Sequence, residues 1–330
     1  MTEPATNRYD AMQYRYAGRS GLKLPAISLG AWETFGGYRD AAVAHACITR
    51  AFDLGITHFD FANNYGHPPG NAEIVCGQVL KELPRDEIII ATKAGFPMWS
   101  GPYGDGGSRK YLIASCDQSL KRLGVDYVDI FYHHRPDPKT PIEESIGALA
   151  TLVAQGKALY IGVSSYSGEQ YQAAVSAAKA CNVRLTMHQP YYNLLGRRIE
   201  KDLLPHTREQ GSGVIAFCPL ASGLLTDKYL DGDIPAGARG TLWPGAWVRG
   251  HSQEQRARIL GGLNNIARAR DQSLTQMALS WILRNDALTS VACGASRVEQ
   301  IEANVKALDK LTFTTEELGA IDVLTLAAVK

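Results

Sequence analysis

Short apolar runs recur along this chain, and stretches of mixed polarity separate them. The runs read AISLG, GITHFDFA, EIIIATKA, VDYVDIFYHH, ALYIGVSS, RLTMHQPY, GVIAFCPL and TSVACGAS. They are brief and rich in apolar or β-branched residues, the pattern of buried strands. The stretches between them keep another period. Ile113, Cys116, Leu120 and Leu123 recur in steps of 3, 4 and 3, and Ile142, Ile146, Leu149 and Val153 in steps of 4, 3 and 4. Such steps gather side chains on one face of a helix. Strands alternating with helices imply a parallel sheet with helices packed over it. Eight such units predict an α/β fold closed into a (β/α)8 TIM barrel. An open doubly wound sheet would carry G-x-G-x-x-G after its first strand. The glycine-rich GPYGDGGSRK has neither that spacing nor the spacing of a Walker loop.

Ahead of the barrel, MQYRYAGRSGLKLPAISLG alternates around Gly18, Arg19, Ser20 and Gly21 and predicts an N-terminal β-hairpin. The spacing of strand ends breaks once: 77 residues separate Phe217 from Gly294, against 25 to 41 between the others. The surplus, about residues 224–262, is rich in glycine and proline and predicts a long loop after strand seven. Barrel enzymes keep their sites on that face. No linker divides the chain, so residues 1–330 are expected to form one domain.

Composition narrows the function by exclusion. A formal net charge of +1 over 330 residues offers no long-range attraction to nucleic acid or an anionic membrane. With 45% hydrophobic and 20% charged residues the chain reads as globular. MTEPATNRYDAMQYRY does not read as a signal peptide, and no apolar run approaches the roughly 20 residues of a spanning helix. Membrane insertion is not expected. The six cysteines are scattered without a CxxC pair, which predicts free thiols, a cytoplasmic location and no metal site.

Candidate chemistry lies at the strand ends, which a parallel barrel brings to one face. Asp60 ends strand two, Lys93 strand three and His134 strand four, and Tyr65 opens the loop after strand two. Each alone has an ordinary structural reading, as a buried ion pair or a loop cap. Together they suit the protonation of an oxygen while hydride reaches the adjacent carbon. Lys93 beside the phenol is expected to lower its pKa from ~10, with Asp60 holding the ammonium charged. His134 would hydrogen-bond the receiving carbonyl oxygen. His133 must face away from its neighbour, and His58 reads as a hydrogen-bonded histidine of the barrel interior. No ligand spacing among these histidines supports a metal, so a metal-dependent barrel enzyme is the weakest reading.

At these residues the chain resembles the aldo-keto reductases, over about Met12 to Leu311. GAWETFGG, FDFANNYG, GVSSYS, PLASGLLTDKY and GASRVEQIEANV carry the resemblance. It is nearest the branch of bacterial L-glyceraldehyde 3-phosphate reductases and potassium-channel β subunits. MWSGPYGDGGSRKYL and MQYRYAGRSGLKLPA point to the former group. The resemblance implies a catalytic tetrad of Asp60, Tyr65, Lys93 and His134. It also implies NADPH bound across the barrel mouth without a Rossmann unit. Ser164 and Gln189 would hold the nicotinamide carboxamide, Phe217 would stack on the ring, and Trp32 would sit beside it. Cys218, Pro219, Leu220, Gly223, Lys228 and Arg239 would follow the pyrophosphate, under the long loop. Gly294, Ser296, Arg297, Gln300 and Asn304 would take the adenosine 2′-phosphate and adenine. Independently of the family, GASR ends a strand and opens a helix, where backbone N–H groups and an arginine converge on a phosphate. That favours NADPH over NADH.

Two positions depart from the family pattern. Ser165 replaces a frequent Asn, and Ala303 replaces a frequent Glu, whose loss removes about 1 kcal/mol of cofactor binding if nothing substitutes for it. Trp32, Trp99, Tyr103 and Trp243 are expected to line a small aromatic substrate cup. Arg109 and Lys110 are candidates to meet an anionic group such as a triose phosphate. The implied activity is NADPH-dependent reduction of small aldehydes, with L-glyceraldehyde 3-phosphate or methylglyoxal-like compounds as candidates and Tyr65 as proton donor. The alternative is an NADPH-holding regulatory subunit like the channel β subunits, against which His134 speaks, since those proteins carry Asn there. The resemblance further implies a homo-oligomer, a tetramer or larger.

Overall fold

A computed structural model of the chain describes residues 5–233 and 246–326. The hairpin comes first: β1 (Tyr14–Tyr16) pairs antiparallel with β2 (Lys23–Pro25). The barrel strands follow as β3 (Ile27–Gly30), β4 (His58–Asp60), β5 (Ile89–Ala94), β6 (Val128–His133), β7 (Ala158–Ser164), β8 (Leu185–Gln189), β9 (Gly213–Phe217) and β10 (Ser290–Cys293). Every neighbouring pair is parallel, and β10 closes the ring by pairing with both β9 and β3. The eight strands coincide with the eight apolar runs.

Helices α1 (Ala41–Asp53), α2 (Asn71–Leu80), α3 (Arg109–Leu123), α4 (Ile142–Ala154) and α5 (Gly168–Ala180) connect successive strands up to β8. Their inward faces follow the periodicity in part. Cys116, Leu120, Leu123, Ile146 and Leu149 are buried, whereas Ile113, Ile142 and Val153 pack at the margin of the core. After β8 come α6 (Ile199–Asp202) and α7 (Leu204–Gln210), and after β9 come α8 (Ala246–Arg249), α9 (Gln253–Ala269) and α10 (Leu274–Leu283). Helices α11 (Val298–Val305) and α12 (Thr315–Leu326) follow β10. The segment after β9 is less irregular than its composition suggests. Ser252 and Gln255 form a reciprocal capping box that starts α9 at Gln253, inside the stretch expected to be loop.

Two cores result. The larger lies between strands and helices. The smaller fills the barrel, where Ala91, Ile130, Tyr132, Met187, Ile215 and Ala292 meet Ala17 and Leu24 of the hairpin. The hairpin thus floors the barrel. Alternate residues of a strand face the same side, so each interior column continues two residues later at the rim. Ala91 leads to Lys93, Tyr132 to His134, Met187 to Gln189, Ile215 to Phe217 and Ala292 to Gly294. The floor is apolar and the rim is mostly polar. Gly162 makes room within this stack, since a Cβ there would lie 2.5 Å from the Tyr132 ring. Among the described residues no helix is long and apolar enough to cross a membrane, and no disulfide forms.

Candidate active site

Asp60 and Lys93 meet at the rim. Lys93 Nζ donates to Asp60 Oδ2 at 2.6 Å and to the Phe61 carbonyl at 2.7 Å, and both side chains are buried. Gln189 Nε2 donates to the other oxygen, Asp60 Oδ1, at 3.0 Å. The carboxylate is therefore satisfied on both sides, which a buried charge requires. Burial pulls the Lys93 ammonium below its ordinary value, opposed by Asp60.

Tyr65 is carried on a turn locked to the start of α2. Its carbonyl accepts from the backbone N–H of Gly70 and of Ala72, each at 3.1 Å. Gly66 makes this possible, with φ at 100° and its α-carbon so near Ala72 that a Cβ would lie 2.5 Å from the amide nitrogen. The Tyr65 ring stands edge-on to His134 with centroids 5.8 Å apart, and Lys93 Nζ lies 5.3 Å from its centre. Asp60, Tyr65, Lys93 and His134 are thus brought together.

Electrostatics overturn one expectation. The Tyr65 phenol is held well above its ordinary value, by burial first and then by the nearby Asp60 and Cys218, rather than lowered by Lys93. The ammonium directs its bonds to Asp60 and Phe61, so it does not offset the loss of water. At neutral pH the phenol keeps its proton. His134 is pushed well below its ordinary value by burial, then by Lys93, His133 and Arg135, so it is a neutral imidazole. Its Nδ1 is buried without a partner among the described residues, so no protein group fixes the tautomer there. A neutral imidazole has one N–H to offer a ligand oxygen. His133 points the other way and bonds the Tyr166 hydroxyl at 2.7 Å, while His58 bonds Ser28 Oγ at 2.8 Å in the interior.

Around this cluster the residues proposed for a dinucleotide line the remaining strand ends. With Gln189 Nε2 committed to Asp60, its Oε1 is the atom that can accept from an amide NH2. Ser164 lies beside it on β7 and offers a hydroxyl. Phe217 is partly exposed at the end of β9, edge-on to Tyr191 with centroids 5.7 Å apart. After Phe217 the backbone turns repeatedly into the left-handed region, at Cys218 (φ 51°), Ala221 (49°), Ser222 (58°) and Gly223 (98°). Within this turn the N–H groups of Ala221, Gly223, Leu224 and Leu225 bond back to the carbonyls of Cys218, Leu220, Ala221 and Leu220, at 2.9, 2.9, 3.3 and 3.2 Å. Pro219 and Leu220 lie within the turn, and Lys228 is exposed beyond it.

The β10 end carries the residues expected at the adenosine end. Arg297 is the exposed N-terminal cap residue of α11 and makes no side-chain cap, while its carbonyl accepts from the Gln300 N–H at 3.2 Å. Gln300 is partly spoken for: its Oε1 accepts from Ser296 N at 2.8 Å and Ser296 Oγ at 3.2 Å. Only its amide NH2 remains for a ligand. Asn304, one turn further, is buried, and Gly294 is exposed. Ser165 has φ at 62°, a conformation Asn adopts more readily than Ser. Arg239 and Trp243 lie outside the described residues.

Of the residues proposed for substrate, Trp32 and Trp99 are partly buried and Tyr103 is largely exposed. Arg109 does not reach the mouth. Ser108 caps α3, which makes Arg109 its first residue, and the guanidinium lies along α4, donating to Thr151 Oγ1 at 2.8 Å and Gly147 O at 3.3 Å. It joins two helices, and its expected substrate contact is withdrawn. Sequence reasoning also passed over Phe96, whose ring stands 4.7 Å from His134, and Arg135, which packs on Phe96. Arg135 directly follows His134 in HHRPD, which was the available signal.

Comparison with known proteins agrees with this arrangement. The Aldo/keto reductase family profile matches residues 26–325. A protein of Escherichia coli (strain K12) named L-glyceraldehyde 3-phosphate reductase is 55% identical, over 96% of this chain and 93% of the relative. A probable voltage-gated potassium channel subunit beta of Oryza sativa subsp. japonica is 39% identical, over 93% of this chain and 94% of the relative. A putative one of Schizosaccharomyces pombe (strain 972 / ATCC 24843) is 41% identical, over 92% and 90%.

Proposed function

The chain belongs to the aldo/keto reductase family, an oxidoreductase family, and from that premise we propose that it reduces small aldehydes with NADPH, L-glyceraldehyde 3-phosphate foremost. The observation that carries the proposal is the buried Asp60–Lys93 pair, at 2.6 Å, beneath the converging rings of Tyr65 and His134. NADPH, when bound, supplies the hydride. Ser164 and Gln189 would hold its carboxamide, Phe217 its ring, the turn from Cys218 to Gly223 with Lys228 its pyrophosphate, and Ser296, Arg297, Gln300 and Asn304 its adenosine end. Lys228 beyond the β9 turn and Arg297 at the start of α11 are exposed cations at separate places, one for the pyrophosphate and one for a 2′-phosphate, which supports NADPH over NADH.

The residues divide the work by protonation state. Neutral His134 donates a hydrogen bond to the aldehyde oxygen and orients it. Tyr65, its proton retained by burial, transfers that proton as negative charge grows on the oxygen. Lys93 then stabilises the phenolate that forms, and Asp60 keeps Lys93 in place. A high resting pKa is compatible with this role, because an alkoxide is a far stronger base than a phenolate.

The test follows NADPH consumption with short aldehydes. Tyr65→Phe is expected to lower kcat by about 10²- to 10⁴-fold with KM changed only a few-fold. Equal rates for the two proteins refute the proposal. A purely regulatory, cofactor-holding role would show as negligible turnover in the native protein. It is less supported, because the relatives named as channel subunits are more distant than the reductase and His134 completes the tetrad.

A further inference from the structure

With Arg109 bound to α4, the cup needs another cation if its substrate is a phosphorylated aldehyde. Lys110, the second residue of α3, holds its ammonium 5.3 Å from the centre of the Tyr103 ring, which is itself largely exposed in the loop. Arg135 stands nearer the chemistry. Its guanidinium lies 4.8 Å from the centre of Phe96, and the Phe96 ring stands edge-on to His134 with centroids 4.7 Å apart. Imidazole, phenyl and guanidinium follow one another in series outward from the tetrad. Arg135 Nε donates to the Gly95 carbonyl at 2.8 Å, which fixes the guanidinium and leaves its Nη groups pointing elsewhere. One of these, Nη2, approaches Asp105 Oδ2 at 3.8 Å, too long for a hydrogen bond. The Asp105 side chain is 53% exposed and that of Arg135 38%. A solvated pair of this kind is weak.

We propose that Arg135 is the specificity-determining residue of the cup: it receives the anionic end of a phosphorylated aldehyde while the carbonyl end lies at Tyr65 and His134. This rests on the aldehyde-reductase reading above and deepens it. In a triose phosphate the phosphorus is four single bonds from the carbonyl carbon, a reach that matches a cation one aromatic ring away from His134. A planar guanidinium already oriented by one hydrogen bond can donate two parallel bonds to a phosphate without further ordering. Phe96, itself partly exposed, offers an apolar wall to the carbon chain between them. Asp105 competes for the same Nη edge and repels the phosphate, so it opposes binding until it is displaced.

The two neighbours therefore have opposite expected effects, and a merely structural role would not reproduce them. Steady-state rates with NADPH are compared for D/L-glyceraldehyde 3-phosphate and neutral glyceraldehyde. Arg135→Met is expected to lower the ratio of kcat/KM, phosphorylated over neutral, by about 10- to 100-fold, mostly through KM. Asp105→Asn is expected to raise the same ratio by about 2- to 5-fold. Equal losses on both aldehydes in Arg135→Met, or a ratio that instead collapses in Lys110→Met, overturn the proposal. If the native protein reduces neither aldehyde, the reductase reading fails separately, and calorimetry with glycerol 3-phosphate decides the anion site. Binding to the native protein that Arg135→Met abolishes supports it; no binding, or equal binding by both proteins, overturns it.

Discussion

The rim of this barrel has two halves built on different principles. From β4 to β6 it is made of side chains. Asp60 and Lys93 are buried, their bonds run to each other, to Phe61 O and to Gln189, and the backbone beneath is regular strand. Around β9 it is made of backbone. Cys218, Ala221 and Ser222 hold left-handed conformations that side-chain-bearing residues ordinarily avoid, and the turn is only partly buried. The first half keeps charge in a dry place, so its groups can be held in fixed protonation states. The second half folds its own N–H groups back onto the turn, and it stores conformational strain, of order 1–3 kcal/mol per residue, in place of charge. On the function proposed above, chemistry is thereby separated from cofactor docking on one continuous rim.

The sharpest way to break that contrast is to remove one charge from the first half. Lys93→Met leaves Asp60 buried with Gln189 alone and is expected to cost about 3–5 kcal/mol of stability as well as activity. Adding Asp60→Asn should restore most of the melting temperature but none of the turnover; a double variant no more stable than the single one would show that the pair does not act electrostatically.

Acid should act on the packed side through its buried histidines. His58 and His133 are pushed down to about 4 and His188 to about 3, in each case by burial first. The unfolded chain takes up these protons near pH ~6.5, before the native state does. Stability is therefore fully present above that pH and declines as pH falls toward 4. A melting temperature unchanged between pH 6.5 and 4.5 would contradict these assignments.

The smallest effect is expected in the second half. Ser222→Gly relaxes a left-handed residue at φ 58° and should stabilise the ligand-free protein by about 0.5–1 kcal/mol. Because the turn then becomes less preorganised, the Kd for NADPH should rise about 2- to 4-fold. Thermal unfolding and fluorescence titration measure the two numbers. A gain in stability with tighter NADPH binding would mean that the strain serves no docking function.

The amino-acid sequence by itself determined the strands, their order and which residue of each strand reaches the rim. Period-two alternation is local: once Ile130 and Tyr132 face the barrel axis, His134 must follow, as Lys93 follows Ala91. Helix faces were legible for the same reason, with errors at their margins such as Ile113 and Val153. Even the boundary missed after β9 had a local signature, the Ser252–Gln255 capping box, hidden behind a glycine- and proline-rich neighbourhood. Only the tertiary structure decided where long side chains go and what burial does to them. Arg109 and Arg135 look alike in sequence, but one lies along α4, whose Thr151 is 42 residues away, and the other is turned onto Phe96 beside His134. Likewise Lys93 was legible as a neighbour of Tyr65, but the direction of the phenol's shift was not. It depends on how much water the packed rim removes and on where the ammonium spends its hydrogen bonds, and both are properties of residues brought together from across the whole chain.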